Sequence, residues 1–380
     1  MKKILFLTNN WFGDHGGRRI VSSKIVNYLS NNGYDITVVN FESGSSRKNY
    51  DFQNRIHTQT YFIKENSKLA PYLVDISKTG KFDLIICSGG PHFDIMTVLT
   101  IKMRRLFMGD MVVLFAHVHP LRSIKVFSFS VKDSIFNLGY YLLSHVSYGF
   151  FSKIVVPSVG LKEFFNKKLF VGQKNIIVIN NPILKQNDVV ISTKKRSLKR
   201  INKEKILITV TRLNTFQKDF KTLFLALKEI NKKINCRLII LGEGEDKRKI
   251  IELSKKLGVT NKIKLVGFMN NPIRYINQAD IFVFSSFYEG FGNALIEAMA
   301  GGIPIVASNC DFGPKEILEN GKNGILFPVG DYRSMTKSIL TLLQDNKLIS
   351  KFIKNSRSKI EDYYETKSFQ KWGKLIDKLS

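Results

Sequence analysis

Residues 3–40 have the sequence KILFLTNNWFGDHGGRRIVSSKIVNYLSNNGYDITVVN. The run Lys3–Thr8 is apolar and predicts a buried β-strand, and the polar, glycine-bearing segment 9–17 predicts a loop. Arg18–Asn32 predicts a helix that ends at a glycine, and Asp35–Asn40 predicts a second strand. A strand, a helix and a second strand in this order are the repeating unit of a parallel sheet covered by helices.

The same alternation continues along the chain, with short buried strands separated by helical segments. It breaks near Asn180–Pro182 and restarts at Ile206. The further predicted strands are 84–87, 112–116, 154–156 and 176–179 before the break, and 206–211, 237–241, 263–266, 281–284 and 305–307 after it. We therefore predict an α/β protein with two Rossmann-like, doubly wound parallel-sheet domains that face each other across a cleft.

The domain boundaries follow from the break in this pattern. Residues 1–182 form the predicted amino-terminal domain, 183–205 a basic linker without apolar periodicity, and 206–360 the carboxy-terminal domain. Apolar and aromatic side chains lie on one stripe of the last predicted helix, so this helix must pack against a domain. We expect the segment 361–380 to join the amino-terminal domain.

The chain has 380 residues and a formal net charge of +28, which predicts attraction to an anionic partner: lipid headgroups, nucleic acid or nucleotide. An AT-rich genome that favours lysine codons would give the same figure without any such partner. The three cysteines are far apart and form no Cys-x-x-Cys pair. Their spacing argues against a disulfide framework and a zinc site and suits a reducing cytosol.

Two cations follow the first predicted strand of the carboxy-terminal domain. Arg212 and Lys218 lie in the loop beyond its carboxyl end, at the edge of a parallel sheet where ligands bind. They are either ordinary exposed loop cations or the groups that neutralise a diphosphate. The amides of Gly292, Asn293 and Ala294, at the start of a later predicted helix, add another attractor for phosphate.

Glu289 and Glu297 flank the glycine-bracketed turn that opens this helix. Glu297 is placed to accept hydrogen bonds from a vicinal diol, as an acidic residue commonly does for ribose in nucleotide-binding folds. Glu289 is placed to hold sugar hydroxyls or to stabilise positive charge at an anomeric carbon. The alternative for each is a surface or capping carboxylate.

Together, these residues resemble the family 4 retaining glycosyltransferases of the GT-B fold, of the bacterial surface-polysaccharide type. The resemblance is dense over about residues 205–330 and weak in the amino-terminal half, and it also rests on LGEG (241–244), VGF (266–268) and GIPIVA (302–307). It implies transfer of a hexose from a nucleotide-diphosphate sugar, with retention of anomeric configuration. It also implies that no cofactor and no metal are required.

The resemblance assigns roles to individual residues. Arg212 and Lys218 hold the diphosphate and take part in catalysis, Glu297 holds the ribose, and Glu289 is the catalytic residue at the donor sugar. The loop Gly267-Phe268-Met269 contacts the base through its backbone, and the helix-start amides contact phosphate. The acceptor attacks on the same face as the departing diphosphate, by analogy with the family.

The amino-terminal half adds three candidate residues. Gly16 and Gly17 match the glycine loop with which the family closes over the donor phosphate, although such a pair alone is often only a turn. The family often continues with an acidic or small polar residue, whereas Arg18-Arg19 follows here. His117, after the strand 112–116, matches a catalytic histidine beside the donor sugar; the alternative is a polar loop histidine.

Metal-dependent glycosyltransferases of the other major fold hold a divalent ion with an Asp-x-Asp pair, and the sequence contains none. This agrees with stabilisation of the leaving group by Arg212, Lys218 and the helix-start amides.

Residues 134–152 carry no formal charge and many aromatic side chains, but they are too polar for a transmembrane helix. They predict either a buried helix or an interfacial surface, because basic residues lie nearby. Those bases are Lys102, Arg104, Arg105, Arg122, Lys125 and Lys132. We expect a cytoplasmic enzyme, peripheral on the inner face of the cytoplasmic membrane, with the anionic membrane surface as a partner.

The expected reaction is sugar transfer, most readily from a UDP-sugar, to a glycan or a polyprenyl-diphosphate-linked acceptor. A sugar-nucleotide epimerase or a phosphorylase on the same scaffold is the alternative. The charge alone raises the possibility of a nucleic-acid-binding protein. The sequence has no recognition-helix or aromatic RNA motif, so we expect no nucleic-acid partner.

Overall fold

The computed structural model describes residues 2–9, 17–43, 56–63, 69–103, 111–117, 142–144, 146–189 and 204–379. The chain divides into two compact units. The first comprises Met1–Pro182 with Ser368–Ser380, and the second comprises Ile183–Lys367. Each unit is built around one parallel sheet, which confirms the predicted α/β fold class.

In the described part of the chain, seven strands form the sheet of the first unit. They are β1 (Lys3–Asn9), β2 (Asp35–Ser43), β3 (Ile56–Ile63), β4 (Leu84–Cys87), β5 (Met111–Phe115), β6 (Lys153–Val156) and β7 (Ile176–Val178). All pair in parallel, in the order β3-β2-β1-β4-β5-β6-β7. The strand order reverses between β1 and β4, and ligands of open α/β sheets bind beside such a reversal.

The edge strand β3 was not predicted. Its residues pair with those of β2 from Ile56 to Ile63. His57, Thr58 and Gln59 are exposed. An edge strand with exposed polar side chains needs no continuous apolar run, and no strand pattern is therefore visible in this part of the sequence.

Six strands form the sheet of the second unit. They are β8 (Lys205–Val210), β9 (Cys236–Leu241), β10 (Ile263–Gly267), β11 (Ile281–Phe284), β12 (Ile305–Ser308) and β13 (Ile325–Phe327). The order is β10-β9-β8-β11-β12-β13, all parallel, which is the Rossmann order 3-2-1-4-5-6. The three-residue strand β13 was too short to be predicted.

The apolar side chains of the second sheet alternate between two cores. On β8, Ile206 and Ile208 belong to one core and Leu207 to the other. On β11, Phe282 and Val283 divide in the same way. Because neighbouring residues of a strand point to opposite faces, both faces of this sheet are buried, as a doubly wound sheet requires.

The described α-helices of the first unit are Gly17–Asn31, Ala70–Lys78, Pro91–Met103, Val159–Leu169 and, from the end of the chain, Glu365–Lys378. Those of the second are Phe220–Asn231, Lys247–Leu257, Ile273–Ile276, Asn293–Ala300, Pro314–Ile317, Tyr332–Gln344 and Asn346–Lys359. The helix Gly17–Asn31 lies within one residue of its predicted bounds, 18–32.

The carboxy-terminal helix Glu365–Lys378 packs against the first unit. Trp372 meets the ring of Phe115 edge-on, with 5.0 Å between centroids, and Phe369 stacks on Tyr28 at 4.5 Å. The unit boundary lies at Ile183, at the start of the predicted linker. The reason is local packing: Ile183, Leu184 and Val189 contact the core of the second unit. Residues 190–203 of that linker lie outside the described residues.

The segment 134–152 is described only at 142–144 and from 146 onward. There, Ser144, Ser147, Tyr148 and Phe151 are buried, whereas Leu142, Leu143, Val146 and Phe150 are exposed. The described part of the segment is therefore half buried and presents exposed apolar side chains. Among the helices in the described part of the chain, none is both long and apolar enough to cross a membrane.

Candidate active site

Two loops meet beside the strand-order reversal of the second sheet. The loop 211–219 follows β8, and the segment 285–292 follows the neighbouring strand β11. Lys218 pairs with Ser286 in an antiparallel bridge, and the Phe287 amide donates a hydrogen bond to the Gln217 carbonyl over 2.9 Å. These backbone contacts hold the two loops together at the carboxyl edge of the sheet.

The central feature of this site is a buried ion pair between Lys218 and Glu289. The Lys218 ammonium contacts Oε1 of Glu289, and the two side chains are only 10% and 9% exposed. Nε2 of Gln217 donates to the other carboxylate oxygen, Oε2, over 3.2 Å. The ammonium also lies 5.0 Å from the centre of the Phe284 ring. Both oxygens of Glu289 therefore have a donor, as a buried carboxylate requires.

Asn214 shapes the loop that carries Lys218. Its Oδ1 accepts hydrogen bonds from the backbone amides of Phe216 and Gln217, at 3.1 and 2.9 Å, which is an Asx turn. Its Nδ2 donates to Glu245 over 2.7 Å. The position of Lys218 is thus set by a side chain four residues earlier.

Asp246 holds the middle of this loop. Its Oδ2 accepts from both the amide and the hydroxyl of Thr215, each at 2.8 Å. The hydrogen bond from Lys249, together with that from the Thr215 amide, lowers the pKa of Asp246 to about 2. The carboxylate is therefore ionised, and both of its oxygens accept, at any physiological pH.

Arg212 does not join the Lys218–Glu289 pair. Its guanidinium lies 3.7 Å from Glu245, and the two side chains are 44% and 56% exposed. An exposed pair of this kind is weak and open to exchange. The Arg212–Glu245 contact lies between the loops after β8 and β9.

Glycines bring the neighbouring loops into direct backbone contact. A Cβ on Gly242 would lie 1.9 Å from the carbonyl oxygen of Thr211, and one on Gly244 would lie 2.4 Å from that of Leu213. The Gly242 amide donates to the carbonyl of Gly267 over 2.7 Å. The loops after β8, β9 and β10 thus share one edge, and the half-buried Phe268 and Met269 continue it.

The helix Asn293–Ala300 begins at Gly292, which has the positive φ of 100° that glycine tolerates. Asn293 and Ala294 are half-buried in its first turn, and Glu297 is half-buried one turn later. Phe291, which precedes Gly292, lies against Gly313. A Cβ on Gly313 would be 1.5 Å from the Phe291 carbonyl oxygen. The start of the helix therefore packs directly against the loop after β12.

His117 lies in the first unit, in a buried cluster at the carboxyl ends of β1, β4 and β5. Its Nε2 is 2.8 Å from the hydroxyl oxygen of Ser88 and 3.3 Å from that of Ser22. Burial lowers the pKa of His117 well below its usual value, and the positive charge of Arg18 acts in the same direction. The imidazole is therefore neutral at physiological pH.

Gly17 is the first residue of the helix Gly17–Asn31, and Gly16 lies outside the described residues. Arg18, the departure from the expected pattern, donates to both the side chain and the backbone carbonyl of Asn9, each at 3.1 Å. Asn9 also accepts from the Gly90 amide. Arg18 thus connects the helix to the ends of β1 and β4.

Residues 190–359 match the model of the family described as glycosyl transferases group 1. The chain carries a group 1 glycosyltransferase domain. Its matched segment contains the Lys218–Glu289 pair and the helix with Glu297.

Relatives extend the similarity to the whole chain. An uncharacterized glycosyltransferase of Haemophilus influenzae is 26% identical over 99% of this chain and 100% of its own length. The amylovoran biosynthesis glycosyltransferase AmsD of Erwinia amylovora is 25% identical over 99% and 100%. The Campylobacter jejuni N-acetylgalactosamine-N,N'-diacetylbacillosaminyl-diphospho-undecaprenol 4-alpha-N-acetylgalactosaminyltransferase is 32% identical over 43% of this chain and 44% of its own.

Solved structures share the fold of this glycosyltransferase. Anabaena HepE in complex with UDP and glucose superposes with a TM-score of 0.79 at 19% identity, covering 100% of both chains. Sucrose-phosphate synthase of Thermosynechococcus elongatus gives 0.81 at 18% identity, covering 100% of this chain and 99% of its own. The GT-B fold expected from the sequence is therefore confirmed.

Sequence reasoning missed several residues that build the site of this glycosyltransferase. Gln217 and Asn214 were not singled out, although both flank Lys218, and Glu245 was missed as the partner of Arg212. Outside this site, the burial of Asp94 in the first unit was also missed. Burial raises its pKa to about 7 although the Gly89 amide and Arg18 oppose the rise. Its place in the helix Pro91–Met103 gave no signal of burial.

Proposed function

We propose that this glycosyltransferase moves a hexose from a UDP-sugar to a glycan or polyprenyl-diphosphate-linked acceptor, with retention of configuration, in cell-surface polysaccharide synthesis. The observation that carries the proposal is the buried Lys218–Glu289 pair at the switch point of a Rossmann-type sheet. A buried ammonium at this edge is positioned for phosphate, and an acid beside it for sugar hydroxyls.

In the proposed mechanism, fixed charges stabilise the departing UDP. Lys218 shares its three N–H donors between Glu289 and a diphosphate oxygen. Arg212 exchanges its exposed partner Glu245 for the diphosphate, because a bidentate contact with phosphate is stronger than a surface ion pair. The first amides of the helix Asn293–Ala300 complete the anion site. These groups act without a metal ion, and Glu297 holds the ribose.

Glu289 and His117 each have a proposed role at the donor sugar, as the resemblance of the sequence implies. Glu289 accepts hydrogen bonds from sugar hydroxyls and stabilises positive charge that develops at the anomeric carbon. His117, kept neutral by burial, offers a hydrogen bond rather than a second positive charge beside that carbon. The acceptor hydroxyl attacks on the face from which UDP departs, and a UDP oxygen takes its proton.

The names of similar proteins support the choice of donor and acceptor. HepE has been solved with UDP-glucose, and the Campylobacter relative is named for a diphospho-undecaprenol substrate. AmsD is named for the synthesis of amylovoran. A UDP-sugar donor and a lipid-linked acceptor are the substrates that we propose for this chain by analogy.

We further propose that the enzyme binds the inner face of the cytoplasmic membrane. Two features support this: the net charge of +28, and the exposed apolar side chains of Leu142, Leu143, Val146 and Phe150 in the first unit. In a flotation assay with anionic vesicles, we expect salt-sensitive binding that is weakened by Leu142→Glu with Val146→Glu. Equal recovery with neutral and anionic vesicles would contradict the proposal.

The test of the reaction is a transfer assay. Purified enzyme is incubated with a panel of UDP- and GDP-sugars, a polyprenyl-diphosphate-linked saccharide and excess EDTA. We expect an extended, α-linked product from an α-linked UDP-sugar, formed at the same rate with and without EDTA. Release or isomerisation of the sugar without an extended acceptor would favour the epimerase alternative, and loss of activity in EDTA would contradict the metal-independent mechanism.

A further inference from the structure

We propose that Gln217 is a positioning residue, which keeps the Glu289 carboxylate in place when Lys218 shares its charge with the donor diphosphate. The inference rests on the proposed function. It concerns a residue to which neither the motif pattern nor the relatives' names assign a role.

Two different side chains donate to the two oxygens of the Glu289 carboxylate. Oε1 contacts the ammonium of Lys218, and Oε2 accepts from Nε2 of Gln217 over 3.2 Å. The carboxylate is buried, so few water molecules reach it, and these two side chains provide its described hydrogen bonds. Loss of either donor leaves one oxygen of a buried anion without a partner.

The two donors respond differently to a diphosphate. The ammonium of Lys218 is attracted to any anion that enters, so its hold on Glu289 weakens as phosphate binds. The Gln217 amide is neutral and competes little for the diphosphate. It therefore keeps its bond to Oε2 in both states.

The backbone and side chain of Gln217 are themselves held by hydrogen bonds. Its backbone amide donates to Asn214, and its carbonyl accepts from the Phe287 amide over 2.9 Å. Its Nε2 also donates to the Tyr288 carbonyl over 3.3 Å, so both amide hydrogens point at the segment that carries Glu289. Gln217 thus joins the loop after β8 to the acid that follows β11.

Two substitutions test the role. Gln217→Met keeps the length of the side chain but removes the donor, and Gln217→Glu replaces the donor by a second carboxylate against Glu289. Gln278→Met is the matched control, because Gln278 is also half-buried and donates to a backbone carbonyl, that of Arg274, away from the site. Thermal unfolding of each variant establishes that it is folded.

For Gln217→Met we expect kcat to fall about tenfold, the loss expected for one hydrogen bond to a charged group, while UDP affinity stays within about threefold. For Gln217→Glu we expect the acid limb of the kcat–pH profile to move to higher pH, because two adjoining carboxylates share a proton. A residue that only supports the fold would not move this limb. The control should match the wild type in both.

The role of Gln217 is overturned if Gln217→Met keeps the wild-type kcat, or if the acid limb of Gln217→Glu stays in place. A fall in UDP affinity equal to the fall in kcat would also contradict it, because the residue would then act in nucleotide binding. A wild-type enzyme that binds UDP but transfers no sugar would overturn the proposed function instead, and that result comes from a separate sample.

Discussion

Lys218 and Glu289 lie 71 positions apart in the sequence and form a buried ion pair between the loops after two adjacent strands. Taking two charges out of water costs several kcal/mol for each ion, and their attraction offsets this only in a well-formed pair. A buried pair at a ligand-binding edge is therefore better explained by function than by stability.

Removal of one member should destabilise the protein strongly. Lys218→Met leaves Glu289 buried without its cation, and we expect a loss of about 3–5 kcal/mol in the free energy of unfolding, measured by urea titration. Adding Glu289→Gln should recover part of that loss. The control is Lys232→Met, whose partner Glu229 is on the surface (62% and 37% exposed) and whose loss should stay below about 1 kcal/mol. Equal losses for the two single lysine variants would contradict the account.

Substitutions of Glu289 and of Glu297 should have different effects on kcat and on UDP binding. We expect Glu297→Gln to weaken UDP binding, because it replaces one carboxylate oxygen, an acceptor for the ribose hydroxyls, by an amide donor. We expect Glu289→Ala chiefly to lower kcat, because its partner is the sugar in the transition state. Steady-state kinetics with calorimetric UDP titration distinguishes the two effects. Wild-type values for both variants would overturn the site assignment.

The close approach at Gly313 should be needed for the helix that carries Glu297. Gly313→Ala places a Cβ 1.5 Å from the Phe291 carbonyl oxygen, so the backbone must shift. Gly330 is the matched control, because its φ is also 81° but a Cβ there meets nothing within 4 Å. We expect Gly330→Ala to lose about 1–2 kcal/mol from backbone strain alone and Gly313→Ala to lose more and to weaken UDP binding. Similar losses of stability and affinity would contradict the role of this contact.

The sequence predicted the architecture well because parallel strands that are buried on both faces are continuous apolar runs. Strands such as 206–211 and 281–284 were found for this reason. The edge strand β3 and the three-residue β13 were missed because the first has polar exposed residues and the second is too short to show a period.

The sequence also indicated which side chains surround the site, since loops after β8 and β11 must be neighbours at a switch point. It could not indicate how those side chains pair. Lys218 binds Glu289 rather than standing beside Arg212, and Arg212 binds Glu245, because loop geometry decides which partner is in reach. The hydrogen bonds that Gln217 makes with Asn214 and Glu289 depend on that same loop geometry.

Asp94 should make the stability of the protein pH-dependent. Its pKa is raised from 3.8 to about 7 by burial, so between these values the folded protein keeps a proton that the unfolded chain releases. The contribution of Asp94 to stability is therefore present at low pH and is lost as the pH rises to about 7. Asp94→Asn keeps an acceptor for the Gly89 amide and removes this titration.

The measurement is urea unfolding of Asp94→Asn and the wild type from pH 4 to pH 8. Relative to the wild type, the variant should gain stability with rising pH, by at most about 4 kcal/mol, and the gain should level off near pH 7. His117 is present in both proteins, so its contribution to the pH dependence of the free energy of unfolding cancels in the difference. Parallel curves for the two proteins would mean that Asp94 is ionised in the folded state.

The central claim is that Lys218 holds the diphosphate of the donor, and calorimetric titration with UDP and with uridine tests it most directly. The variant to use combines Lys218→Met with Glu289→Gln, so that neither charge is left buried alone. We predict that the wild type binds UDP far more tightly than uridine and that the double variant loses about 10–100-fold in UDP affinity, with little change for uridine. Wild-type affinity for UDP in the double variant would contradict the account.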